Sequence, residues 1–149
     1  MIFFKFKRIA IFFLVLILIL VAIFFLIAEK NKLVIINGKF FVAETATSPE
    51  KQEKGLSGRR KICAHCAMLF EFKKSDNYVF WTKNMRFDLD ILWIEKNKIK
   101  HIEKNISHNF KGVLDPETKA DKVLEINAGL TDKYGIKIGD RIKIWGNLE

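Results

Sequence analysis

Seventeen residues near the middle of the chain, Tyr78-Val-Phe-Trp-Thr-Lys-Asn-Met-Arg-Phe-Asp-Leu-Asp-Ile-Leu-Trp-Ile94, constrain its fold most. Two apolar, aromatic runs flank a polar knot of Lys83, Asn84, Arg86, Asp88 and Asp90. Runs rich in Val, Ile, Phe and Trp suit strands buried on both faces. Polar groups crowded between such strands either build a demanding turn or face a ligand. Similar short runs recur along the chain. Leu33–Ile36 and Lys39–Ala43, joined by Asn37-Gly38, read as a hairpin, because Asn-Gly tolerates the positive φ of a type I′ turn. Further strands are expected at Ala67–Phe72, Tyr78–Thr82, Leu89–Ile94, Ile99–Glu103, Lys122–Ile126 and Arg141–Trp145. Ser48-Pro49-Glu50 starts a short helix that Gly55 ends, and a second short helix lies near Leu130–Tyr134. Asn105 to Asp121 reads as a long loop, a length often tied to function. No helical stretch is long enough to supply repeated crossovers. The expected fold is therefore mainly β, a small antiparallel sandwich or barrel with one or two short helices.

The N-terminus sets a second constraint. Ile9 to Ala28 is a run of 20 residues with no polar or charged side chain. At ~1.5 Å per residue such a helix covers a ~30 Å hydrocarbon core. Lys5, Lys7 and Arg8 before it favour a cytoplasmic N-terminus. A cleaved signal peptide is the rival, but its apolar region is normally ~7–15 residues, and Leu26-Ile27-Ala28 is a poor cleavage site. The expectation is a retained single transmembrane helix, with the C-terminal domain on the extracytoplasmic side of the cell membrane. Without Lys5, Lys7 and Arg8, 23 of the 26 basic residues remain against 17 acidic ones. Such a basic surface beside a bilayer suits anionic lipid or a cell-wall polymer. No Lys/Arg run interleaved with aromatics supports nucleic acid as a partner.

Several pieces of the chain resemble the DUF192 (UPF0127) family, in the family's order. They are Glu53-Lys-Gly-Leu-Ser-Gly-Arg59, Met68-Leu-Phe70, Phe80-Trp-Thr-Lys-Asn84, Leu89-Asp-Ile-Leu92, Val123-Leu-Glu125, Ala128-Gly129 and Gly139-Asp140. The resemblance implies one small, mainly β domain and brings no agreed activity, cofactor or catalytic residue. It divides the chain into a cytoplasmic stub and anchor (1–28), a linker with the first strand (29–41) and the family-like β domain (42–149). The chain departs from the family pattern at Ala67, where Gly is usual, at Thr82, where Met is usual, and at Asp88, where Pro is usual.

The candidate site residues follow from these pieces. Lys83, Asn84, Arg86, Asp90 and Glu125 are the candidates for binding a small polar or anionic ligand. Against this, Asn84 and Asp90 could equally satisfy backbone groups at a turn, and Asp140 reads more simply as part of a Gly-Asp turn. Glu125 shares a strand face with Val123, so if buried it must find a cation or be protonated. Lys83 and Arg59 are its obvious partners. Cys63-Ala-His-Cys66 offers Cys63, His65 and Cys66 as metal ligands, with His101 or His108 completing a zinc site. A lone Cys-x-x-Cys is a weak metal signal, and in an exported domain a Cys63–Cys66 disulfide is preferred, with free thiols as a third option. Trp81, Trp93 and Trp145 read as core rather than as a binding platform. The function expected is a membrane-anchored, non-enzymatic binding module for a small polar ligand, an envelope component or a partner protein, with no cofactor. The alternatives are a small hydrolase or zinc-dependent enzyme, and a structural envelope module.

Overall fold

A computed structural model describes Ile9, residues 11–22 and residues 31–146. Residues 11–22 are helical with exposed apolar side chains. Among the described residues no helix is long and apolar enough to cross a membrane. The single transmembrane helix expected over residues 9–28 is therefore not seen as a span, and part of it (10 and 23–28) lies outside the described residues.

The rest is built on one seven-stranded sheet, curled into a half-barrel. The strands are β1 (Asn31–Ile36), β2 (Lys39–Ala46), β3 (Cys66–Asn77), β4 (Leu89–Glu95), β5 (Lys98–Ile106), β6 (Lys119–Asn127) and β7 (Ile142–Trp145). Two short helices, α1 (Pro49–Lys54) and α2 (Leu130–Lys133), complete the domain. The spatial order is β5-β4-β6-β3-β2-β1-β7. The Asn37-Gly38 turn has positive φ at both residues, as the hairpin required. Ser48 caps α1 by accepting from the Lys51 N–H, and Gly55 closes it at φ 49°.

Three expectations need correction. Of the sandwich or barrel expected, the fold is neither two packed sheets nor a closed barrel but a single sheet curled into a half-barrel. It is not wholly antiparallel, because β2 and β3 pair in parallel. The 19 residues between them, α1 included, return the chain to the same end, as a parallel pair demands. Tyr78–Thr82 is not a strand. Only Phe80 makes a bridge, to Leu114, and the Tyr78 carbonyl accepts from the Trp93 indole at 2.7 Å. This segment finds no strand to pair with and instead covers one face of the sheet.

Both faces are buried, which explains the near-continuous apolar run of β4. One face packs Val34, Phe41, Leu69, Leu92, Leu124 and Ile142. The opposite face packs Met68, Phe70, Leu89, Ile91, Trp93 and Val123 under Leu56, Phe80, Met85 and Leu114. The edges of the sheet meet at one end, where the Ile99 N–H donates to the Asp140 carbonyl at 2.9 Å, the Gly139 N–H donates to the Ile99 carbonyl at 2.9 Å, and Lys98 bridges Arg141.

Candidate functional site

Strand register decides which polar residues can meet. On β4 and β6, Asp90 lies opposite Ile126 and Ile91 lies opposite Glu125. Successive residues of a strand point to opposite faces, so the sheet itself separates Asp90 from Glu125. Sequence alone had put the two carboxyls together.

Asp90 is fully buried and its carboxyl accepts four hydrogen bonds. Oδ1 takes the N–H groups of Asn105 (2.8 Å) and Gly129 (3.1 Å). Oδ2 takes the Thr131 N–H (2.9 Å) and hydroxyl (2.7 Å). It ties the start of α2 and the end of β5 to β4, with no oxygen left for a ligand.

Glu125 is the reverse case. It is 5% exposed, and its Oε2 is buried without a hydrogen-bond partner among the described residues. Its cross-strand neighbours are Met68 and Ile91, neither of which can donate. The expected partners are elsewhere. Arg59 pairs with Glu44 at 2.8 Å, and Lys83 is exposed. Burial alone pushes the Glu125 carboxyl up to about 8, so it is a neutral acid at pH 7.

The acid forms part of a cavity of about 180 Å³. Phe70, Phe72, Tyr78, Phe80, Trp81 and Met85 supply its apolar lining. Phe70 and Phe80 meet edge to face at 4.9 Å, while Phe72 and Tyr78 are stacked at 3.5 Å. The end of α1 forms another wall. Gly55 lies over Phe70, where an added Cβ would come within 3.4 Å of the ring, and its φ of 49° disfavours any side chain. The positive φ gives a local reason for Gly in Lys54-Gly-Leu-Ser57. Gln52 fastens α1 by donating to the carbonyls of Ala46 (3.2 Å) and Glu71 (2.9 Å). The remaining polar lining groups are engaged or face solvent. The Ser57 hydroxyl donates to the Lys83 carbonyl, the Tyr78 hydroxyl donates to the Lys74 carbonyl, and Glu53 and Lys54 are exposed at the mouth.

Lys83 and Asn84 do not reach Glu125's cavity but line two shallower recesses beside it, with Trp81 common to all three. Asn84 sits at φ 60°, and its carbonyl accepts from Gly58, so it serves the turn. Arg86 is exposed. Asp140 accepts from the Lys137 N–H and from Asn37, also a turn role.

Two residues that depart from the family pattern fasten the same loop, residues 107–118. The buried Thr82 hydroxyl donates to the carbonyls of Phe110 (3.0 Å) and Ser107 (3.3 Å). Asp88 accepts from the His108 N–H (2.8 Å) and meets its ring at 2.7 Å, and these bonds hold its carboxyl below the usual range. A Met and a Pro could do neither.

Cys63 and Cys66 form a disulfide. His65 does not turn to the sulfurs. Its ring stacks on Phe40 and Tyr134, and Nδ1 lies 3.2 Å from the Phe40 carbonyl. His101 meets Glu103 and His108 meets Asp88, so neither completes the expected zinc set. Among the described residues no group of three or more His, Cys, Asp or Glu could hold a metal ion. Trp93 is fully buried, as expected of core, whereas Trp81 and Trp145 are 44% and 62% exposed.

No curated protein matches the chain. Two solved structures are similar to it. One is a putative transcription regulator from Sinorhizobium meliloti 1021, with 28% identity and TM-score 0.73, covering 76% of this chain and 92% of that one. The other is a protein of unknown function from Novosphingobium aromaticivorans DSM 12444, with 29% identity and TM-score 0.70, covering 76% and 83%. A family model matches residues 32–144, from the first strand to the last, and the chain thus belongs to DUF192, a family described as Uncharacterized ACR.

Proposed function

We propose that this protein is a small-molecule binding module whose site is the aromatic cavity above Glu125. The observation that carries the reading is the pairing of an unpartnered, buried carboxyl with an open apolar enclosure. Buried polar groups are nearly always bonded, and an exception at the floor of a cavity marks where a ligand supplies the partner. The ligand has a compact apolar body and one polar head. Lys83 and Asn84 in the adjoining recesses are placed to touch a longer ligand that emerges past Trp81.

The uncharged run of residues 9–28 and its basic flank support a module tethered to the cell membrane, with the β domain extracytoplasmic. A Cys63–Cys66 disulfide agrees with an oxidising compartment. The enzyme alternative draws less support. A raised carboxyl suits general acid catalysis, but Asp90 lies across the sheet, and the lining hydroxyls of Ser57 and Tyr78 are engaged.

The test is ligand-observed NMR with a set of compounds of six to nine heavy atoms, using the full chain in mild detergent. Compounds with an apolar body and one polar head should bind the wild type and be lost in Glu125→Leu. Equal binding to both proteins, or no binding, would remove the cavity as the site.

A further inference from the structure

The cavity's walls and its floor select for charge. Five of its lining side chains, Phe70, Phe72, Tyr78, Phe80 and Trp81, are aromatic. Aromatic rings present a negative face to a cation, most effectively where water is excluded. The floor is the Glu125 carboxyl, which has no paired cation among the described residues. Arg59 is held by Glu44, Lys32 is held by Glu71, and Lys54 stays exposed at the mouth. The carboxyl is neutral while the cavity is empty, and it can ionise there only if an entering ligand brings the positive charge. Size limits the carrier: an apolar cavity of about 150 Å³ holds one benzene. The present cavity of about 180 Å³ accepts a body only slightly larger.

We infer that the cavity takes a small organic amine as its ammonium ion, with the charged head on the Glu125 carboxylate and the apolar body among the rings. The inference rests on the cavity being the binding site and names the ligand class it takes.

The protonation balance gives the inference a signature. Glu125 keeps its proton in the empty cavity up to about pH 8. An ammonium ion entering expels that proton to solvent while keeping its own. Affinity then rises with pH and levels off near 8, about a twentyfold gain between pH 6 and 7.5. The groups facing Glu125 do not mimic this. Met68 and Ile91 do not titrate, and Glu53 and Lys54 are exposed, opposite charges at the mouth. Desolvation, with Asp76 adding to it, pushes the Tyr78 phenol further above neutrality.

The experiment is titration calorimetry of the full chain in mild detergent with benzylamine and with benzyl alcohol, its neutral counterpart in shape. It is run at pH 6 and 7.5, in two buffers of different ionisation heat. Benzylamine should bind at least tenfold tighter than the alcohol at pH 7.5, release close to one proton at pH 6 and about three-quarters of one at pH 7.5, and lose its advantage in Glu125→Gln. Should that variant misfold by circular dichroism, Glu125→Met replaces it, and the wild-type proton release decides independently. If the alcohol binds as well as the amine, or the amine binds without releasing a proton, the inference is wrong and the cavity remains a binding site. If neither probe binds at millimolar concentration, the cavity reading falls as well.

Discussion

Asp90→Asn and Glu125→Gln make the same chemical change, carboxyl to amide, on opposite faces of one sheet, and their effects on stability should have opposite signs. The Asp90 carboxyl accepts two bonds on each oxygen. An amide keeps one oxygen and turns an NH2 towards two donors. The Thr131 hydroxyl can rotate to accept, but a buried N–H stays orphaned and faces another donor. At about 1–3 kcal/mol for each unsatisfied group, Asp90→Asn should cost about 4 kcal/mol. Glu125 has no such bonds to lose. Its unfolded carboxyl ionises near the ordinary 4.5, whereas the folded one holds its proton to about 8. Between those values the native state binds one more proton than the unfolded state, so stability falls as pH rises, by about 1.4 kcal/mol per unit. It is fully retained below 4.5 and levels off above 8. At pH 7 the deficit is about 3 kcal/mol, which Glu125→Gln recovers less the cost of burying its own amide. Urea unfolding of the full chain in mild detergent, followed by the fluorescence of buried Trp93, reads both. Wild type should lose stability steeply from pH 5 to 7.5 relative to Glu125→Gln. Parallel profiles for those two proteins, or an Asp90→Asn cost below about 1 kcal/mol, would refute the assignment of roles.

Thr82→Val should cost about 1 kcal/mol and hasten proteolytic cleavage within residues 107–118, because the loop loses its tie to the Phe110 carbonyl. Asp88 is held below the ordinary carboxylate range, so its tie to His108 is complete above the unfolded value and is lost as pH falls through the folded one; the His108 amide resonance should move over that acidic window. Reducing Cys63–Cys66 should cost about 2 kcal/mol, since only a four-residue loop is closed, and the midpoint of urea unfolding with and without reductant measures it.

Much of the fold was legible because local signals were strong. Asn37-Gly38, the Ser48 cap, the Gly55 stop and the double-sided burial of Leu89–Ile94 each follow from residues adjacent in sequence. What was hidden depends on pairing. Tyr78–Thr82 has a strand's composition but no partner strand, so its rings close a cavity rather than extend the sheet. The parallel β2–β3 pair depends on where the crossover lands. The roles of Asp90 and Glu125 turn on register: Ile126 opposite one and Ile91 opposite the other, a relation no local pattern encodes. Glu125 was the better-read residue. Its strand position posed a choice between a cation and a retained proton, and it is buried with no paired cation among the described residues. Thr82 and Asp88 carried a usable signal as departures from the family pattern, though the loop they fasten lies about 20 to 28 residues further on.

If Glu125 is a neutral acid turned towards an open cavity, its own titration shows it. Side-chain carboxyl carbon NMR of the full chain, with the resonance assigned by its absence in Glu125→Gln, should show a midpoint about pH 8. A midpoint in the ordinary glutamate range, about 4 to 5, would mean that the carboxyl is solvated or paired and is not a neutral acid at pH 7.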